Sequence, residues 1–225
     1  MYRFDFTPVI ANAGLLAEGL LNTLKVTGTA VVCGVALGLG LALLRLSRRR
    51  FLAWPAGFVI ELFRTTPPLV QLFWFFFALP LLAGIEMTPF MAAAVTFSIQ
   101  SAAFFAEVFR GGIVSIERGQ WDGALAIGMS RRQALRRVVL PQAVKRMIPA
   151  FMERSIELMK TTTLVATISY ADLLFEANEI SEKSFRPLET FTVVALIYFV
   201  VIFAFSLAAR RLERRLALSG ETTAH

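Results

Sequence analysis

The chain has 225 residues, of which 56% are hydrophobic and only 17% charged. Soluble domains carry about a quarter of their residues as charges, so this balance excludes an ordinary water-soluble fold. A mean hydropathy of +0.65, with apolar runs of about 20 residues, points to an all-α integral membrane protein.

The net charge of +7 does not call for nucleic acid as a partner, because the basic residues gather in three patches at the ends of apolar runs. The single cysteine, Cys33, stands inside an apolar run, so no disulfide or metal framework can form within the chain. The one histidine is His225, so histidine chemistry is effectively absent. Residues 1–15 lack a basic start and the first apolar run is too long for a signal-peptide core, so no cleavable signal is expected.

Residues 1–17 read as a mildly polar lead. The first span is expected over 19–44, with one charge, Lys25. Gly34 and Gly38 stand four apart in it, a spacing that lets another helix approach closely. Arg45, Arg48, Arg49 and Arg50 follow at once. The second apolar region, 54–82, is interrupted by Glu61, Arg64 and Pro67-Pro68. Its part from Pro67 to Leu82 makes about 24 Å of helix, short of a hydrocarbon core of about 30 Å. The helix before it, from Trp54 to Phe63, is therefore expected near the inner interface, with Glu61 and Arg64 three apart and able to pair.

A third span over 88–109 carries Ser98, Gln100, Ser101 and Glu107, and Arg110 is expected to end it. The fourth, 149–169, is the least apolar. Glu153, Arg154, Glu157, Lys160 and three consecutive threonines from Thr161 load it so heavily that a hydropathy window would pass over it. An acidic loop over 170–188 leads to a fifth span, 191–209, closed by Arg210, Arg211, Arg214 and Arg215. The whole chain, 1–225, reads as one transmembrane domain.

Three positions on one side of this layout hold 16 of the 23 basic residues, while the other side holds Arg3, Lys183 and Arg186. The positive-inside rule then sets the N-terminus outside and the C-terminus in the cytoplasm. It also puts residues 110–147 in the cytoplasm.

That cytoplasmic segment contains GQWDGALAIGMSRRQALRRVVLP, Gly119 to Pro141. Trp121 to Ile127 can form a short helix that Gly128 stops. Ser130 opens a second helix, and Gln133 completes a Ser-x-x-Gln capping box. Leu135, Val138 and Val139 give it an apolar face, with Arg131, Arg132, Arg136 and Arg137 on the other. Pro141 is expected to end or kink it. A loop that only fixed topology would not need two capped helices in tandem.

The stretch resembles the EAA motif of ABC-transporter permeases. Asp122, Gly123 and Ala124 match its acidic-Ala-Ala start, Gly128 its glycine, and Leu140 and Pro141 its closing pair. Gly123 in place of the first Ala loosens the helix by roughly 1 kcal/mol. Gly119-Gln120, Leu140-Pro141-Gln142-Ala143, the run from Glu61 to Pro67, and Val70-Gln71 are similar to the polar-amino-acid branch of the family. The resemblance covers about residues 20–211.

It implies a five-helix permease of the ABC type I importer kind, in the inner (cytoplasmic) membrane, passing polar amino acids. It implies a coupling helix, Trp121 to Ile127, lying in a groove of an ATPase, with Asp122 capping or pairing there. Gly119, Gln120, Trp121, Asp122, Gly123, Ala124, Gly128, Leu140 and Pro141 form the ATPase-coupling set. The implied partners are ABC ATPase subunits, a second copy or a similar permease, and an extracytoplasmic solute-binding protein. No Gly-x-x-x-x-Gly-Lys-Ser/Thr loop is present. ATP would therefore belong to the partner chain, and neither a cofactor nor enzyme chemistry is expected in this one.

Ionisable groups inside a membrane are costly and by default functional. Glu153 and Glu157 lie four apart on one face of the fourth span, with Arg154 and Lys160 each three from Glu157. Such a face offers a zwitterionic amino acid both an anion and a cation. The alternative is an internally paired helix, Arg154–Glu157–Lys160. The family's usual residues at 153-154 and after Lys160 are replaced here, so pocket details are not carried over. Gln100 and Ser101 are further pathway candidates, or simple helix–helix hydrogen bonds.

The acidic loop from Asp172 to Glu182 either touches the binding protein or forms a solvated amphipathic helix. The aromatic run Phe73 to Phe77 is expected to face lipid or pack. Two other classes remain: a non-transporting scaffold or assembly subunit, which needs no polar face on the fourth span, and an ion-coupled carrier, which usually shows internal repeats not seen here.

Overall fold

The computed structural model describes residues 2–217, and every regular element among them is helical. His225 lies outside the described residues, as do the side chains of Arg214 and Arg215. A short α1 (Thr7–Ala11) leads into α2 (Ala13–Arg45), which starts inside the expected polar lead. Tertiary packing extends it: Val9 and Leu16 are buried together with Leu173 and Val194.

One face of α2 consists of small residues. Gly19, Thr23, Thr27, Ala30, Gly34, Gly38 and Ala42 are all buried. Against it lies α6 (Pro89–Val114). A Cβ on Gly34 would fall 2.5 Å from Ser101 Cβ, and one on Gly38 2.8 Å from the Ala102 carbonyl. The close helix approach expected from the glycine spacing therefore forms. The order of these contacts makes the two helices parallel.

Parallel neighbours require a return crossing between them. It is built from α3 (Arg50–Thr65), α4 (Pro68–Phe73), a π-helical turn Trp74–Ala78, and α5 (Leu79–Ala83). The chain bends by 106° between α3 and α4. Thr66, placed before a proline, sits extended at ψ 135°. The Gln71 amide closes the break by donating to the Phe63 and Thr66 carbonyls at 3.0 and 2.8 Å. Carbonyls freed in apolar surroundings need such a partner. Glu61 and Arg64 pair at 3.5 Å as their spacing predicts. In the aromatic run, Phe75 is buried while Phe73, Trp74 and Phe77 are exposed.

α6 continues past Arg110 to Val114, because Glu107 neutralises that guanidinium at 2.8 Å within the same helix. After it come α7 (Arg118–Ala126), α8 (Arg131–Ala134), a second π-helical turn Leu135–Val139, α9 (Leu140–Thr161) and a 3₁₀ turn Thr162–Ile168. Pro141, expected to end or kink the second helix of this segment, does not end it. Helix continues through it and through Pro149 into the fourth span.

The π turn explains how. A proline clashes with the carbonyl four residues back and lacks an N–H, and a wider i→i+5 turn just before it removes both conflicts. The same device recurs ahead of Pro80, where the turn Trp74–Ala78 stands in the same relation.

α9 runs antiparallel to α6: Met147 lies beside Gly112, Phe151 stacks on Phe105 at 4.5 Å, and Glu157 and Leu158 share a cavity with Gln100 and Ser101. The expected acidic loop contains α10 (Leu173–Ser184), and α11 (Pro187–Ala217) closes the bundle. Glu189, at the start of α11, accepts from the Tyr2 hydroxyl at 2.6 Å and the Asp5 N–H at 3.0 Å. α11 therefore begins beside the start of α2. Chain sense alternates through α2, α3–α5, α6, α9 and α11.

Among the described residues three helices are long and apolar enough to cross a membrane: α2, α6 and the Pro187–Leu212 part of α11. The bent pair α3/α4–α5 makes a fourth where it counts as one broken span. α9 does not qualify, as its charge load foretold.

Candidate functional site

Two regions carry the polar chemistry. The first is the segment after α6. α7 starts at Arg118 and ends at Ala126, and Gly128 follows at φ 85°, a left-handed turn that favours glycine. The Gly128 and Met129 N–H groups donate back to the Leu125 and Ala124 carbonyls at 3.0 and 3.1 Å, closing the helix end. Ser130 then accepts from the Gln133 N–H at 3.3 Å, while the Gln133 side chain accepts from the Ser130 N–H at 2.8 Å. Both halves of the predicted capping box are present.

α7 is fixed across the base of α9. Ala124 is buried, and Trp121 packs on a cluster of Ile116, Val139, Ala143 and Met147. The Gln142 amide donates to the Gln120 side-chain oxygen at 3.1 Å. Gly119, Asp122, Gly123 and Gly128 stay exposed, and so do Leu140 and Pro141 on the next helix. Beside Asp122 stand Leu125 and Ile127, the latter 74% exposed. The sequence reading passed over this apolar pair. Its signal was present: both sit in a polar segment where nothing in the same segment could cover them.

The second region lies between α6 and α9. A cavity of about 70 Å³ is lined by Pro68, Gln100, Ser101, Phe104, Arg154, Glu157 and Thr161, among others. Gln100 and Ser101 are buried, and the Ser101 hydroxyl has no hydrogen-bond partner among the described residues. Arg154 pairs with Glu157 on the same helix. Its guanidinium also stands 4.8 Å from the centre of the Phe104 ring, and that of Arg64 stands 5.8 Å away.

A wider cavity of about 450 Å³ adjoins on the side toward α7, lined by Arg64, Glu107, Arg146, Glu153 and others, and it shares Phe104 and Arg154 with the first. The structure thus brings Glu157, Gln100 and Ser101 together and places Glu153 in the neighbouring cavity. Lys160 is exposed and lines neither. Arg154, already marked by its spacing from Glu157, joins the set, and so does Phe104, which nothing in the sequence distinguishes from the other phenylalanines. Among the described residues no cluster of metal-ligating side chains exists.

The small cavity has room for several waters, and so for the charged end of a solute.

Asp172, from the acidic loop, has a different role. It is buried and caps α10 by accepting from the Phe175 N–H at 2.8 Å, against the face of α2 where Gly19 leaves no room for a side chain. Burial pushes its carboxyl up to about 7. Glu176 is also raised by burial.

The chain resembles known proteins along nearly its whole length. It is 37% identical over 224 residues to the glutamate/aspartate import permease protein GltK of Escherichia coli O157:H7, covering 96% of this chain and 100% of the relative. It is 38% identical over 221 residues to the glutamine transport system permease protein GlnP of Escherichia coli strain K12, covering 96% and 99%. Among solved structures, an amino acid ABC transporter crystallised with histidines matches with a TM-score of 0.91 at 35% identity, covering 95% of this chain and 100% of that one. Residues 34–218 match the sequence profile of the binding-protein-dependent transport system inner membrane components, and the chain belongs to that family.

Proposed function

We propose that this chain is the membrane-spanning permease subunit of an ABC importer for polar amino acids. In this reading it crosses the inner membrane five times, with α9 and its 3₁₀ turn as the fourth crossing. The N-terminus lies outside and the C-terminus in the cytoplasm, following the basic residues. The α7 helix docks on an ATPase partner that binds and hydrolyses ATP, a solute-binding protein delivers the substrate from outside, and a second permease completes the path.

One observation carries the substrate assignment. In a bundle whose lipid face is apolar, Gln100, Ser101, Arg154 and Glu157 converge on one cavity. Glu157 matches a ligand's ammonium and Arg154 its carboxylate, with Gln100 and Ser101 of α6 lining the same cavity. The cavity takes that headgroup, and the solute's side chain extends toward the wider space beyond Phe104.

The test is ATP hydrolysis by the assembled complex with its binding protein. Glu157→Gln should keep its ATPase partner and lose substrate stimulation by about tenfold, the loss of ~1.4 kcal/mol of pairing. Glu153→Gln should lose less, since Glu153 lies outside the small cavity. Normal stimulation in both variants would remove α9 from the pathway.

A further inference from the structure

The cytoplasmic-end face of α3 has no partner among the described residues. Phe51, Trp54 and Phe58 are 68%, 71% and 58% exposed and lie on the side of the helix opposite the buried Ala56 and Ile60. Trp54 and Phe58 stack at 6.2 Å. The start of α3 sits at the very end of α2, because the Arg45 guanidinium donates to the Ala53 carbonyl at 3.1 Å. The aromatic stripe therefore lies level with the end of a membrane-crossing helix, the depth at which Trp residues collect. Three consecutive exposed cations, Arg48, Arg49 and Arg50, adjoin it directly.

Those charges do nothing for the helix itself. Arg49 is the N-cap residue without a side-chain cap bond, and positive charge at a helix start opposes the dipole. Topology alone would account for basic residues here, but not for aromatics held exposed beside them. Water disfavours such a stripe, and a protein partner would have to bury three unpaired guanidiniums with it. An acidic phospholipid satisfies both parts, with acyl chains along the aromatics and a phosphate among the arginines.

We propose that Arg48, Arg49 and Arg50 together with Phe51, Trp54 and Phe58 form a binding site for an anionic phospholipid. The lipid seats the elbow between α2 and α3, on which the α3–α4 bend and Arg64 depend.

Tryptophan quenching by brominated lipids tests this on the full chain in vesicles, with the lipids in both leaflets so that membrane orientation does not matter. One variant keeps Trp54 alone (Trp74→Phe with Trp121→Phe). A second keeps Trp74 alone (Trp54→Phe with Trp121→Phe) as the reference, since Trp74 is exposed on the crossing itself, away from the arginine run. Trp54 should be quenched by brominated phosphatidylglycerol about fivefold more than by brominated phosphatidylcholine at equal mole fraction, a ratio worth ~1 kcal/mol. Trp74 should show no preference. Replacing Arg48, Arg49 and Arg50 by Gln should abolish the preference while phosphatidylcholine still quenches Trp54. Equal quenching of Trp54 by both lipids would leave only general bilayer contact and overturn the site. Quenching of Trp74 but not of Trp54 by either lipid would show a protein-covered face and overturn it equally.

Discussion

α11 and α9 show opposite ways for a helix to live in this fold. α11 is the most apolar of the three helices that could cross a membrane by length and composition, yet only 6% of its most apolar stretch is buried inside the protein. α9 is too polar to qualify, yet it lies against α6 and places Ser155, Leu158 and Met159 in the interior. Hydropathy here measures contact with lipid rather than contact with the rest of the chain. Lipid demands apolar side chains on α11, whereas α9 can carry Glu153, Arg154, Glu157 and Lys160 because much of its surface faces cavities and polar groups. α6 lies between the two: 61% of its apolar stretch is buried, and Thr96, Ser98, Gln100 and Ser101 are among its buried residues.

The contrast can be broken most severely where helices meet without lipid. Gly34→Val places a branched side chain where even a Cβ would lie 2.5 Å from Ser101 Cβ. Overpacking typically costs ~1–3 kcal/mol, and here backbone would have to separate along the whole α2–α6 seam. A large fall in thermal stability in detergent, with loss of most folded protein, is expected. Ala195→Val on the exposed face of α11 is the matched control and should stay within ~0.5 kcal/mol. Equal tolerance at both sites would mean that α2 and α6 are not held by the small-residue seam.

The Gly34 seam was legible in sequence because close approach leaves a compositional mark, glycines four apart. The capping box at Ser130 was legible for the same reason, since each orphan donor needs a named acceptor. The weakly apolar α9 could be read from its charges. The course of the chain through Pro141 could not. Proline signals a break, and only the neighbouring turn decides whether the break is absorbed by a π turn. The cavity was half legible. The acids and amides announced themselves as costly in a membrane, but Phe104 is an aromatic among the 21 phenylalanines of the chain and carries no mark of its position between two guanidiniums. The start of α2 was hidden because α10 and α11, distant in sequence, extend it.

A moderate effect is expected at Asp172, which sharpens the comparison by charging a buried site outside the spans. Undocked, its carboxyl ionises near the ordinary 3.8, whereas docked it ionises at about 7. Between those values the docked state holds a proton that the undocked one has released, so docking of α10 weakens as pH rises from about 4 to 7 and levels off above. Glu176 on α10 and Tyr170 add like charge or burial nearby, while the Thr23 hydroxyl oxygen of α2 accepts from the Leu173 N–H. Asp172→Asn keeps the cap acceptor and removes the titration. Hydrogen exchange of the α10 amides should lose its pH-dependent excess in this variant, after correction for intrinsic rates. An unchanged excess would assign it to Glu176.

The smallest effect concerns the start of α8, where polar bonding rather than burial holds the chain. Ser130→Ala removes the acceptor for the Gln133 N–H and leaves the Gln133 side chain with one half of the box. Loss of such a cap costs about 1 kcal/mol. The cost stays local, because α8 passes through the π turn into α9, and Val139 of that turn is buried with Ala143 and Met147 of α9 and with Ile116. The Gln133 amide should exchange about fivefold faster, the ratio that ~1 kcal/mol sets, while the amides beyond Leu140 keep their rates. Ser130→Asp supplies an acceptor again and should restore protection, so the pair of variants separates capping from mere loss of a hydroxyl. Acceleration spreading into α9 would show that the box, and not the Trp121 cluster, carries the stability of the whole segment from α7 to the base of α9. The base of α9 would then resemble its charged middle more than it resembles the seam of α2 and α6.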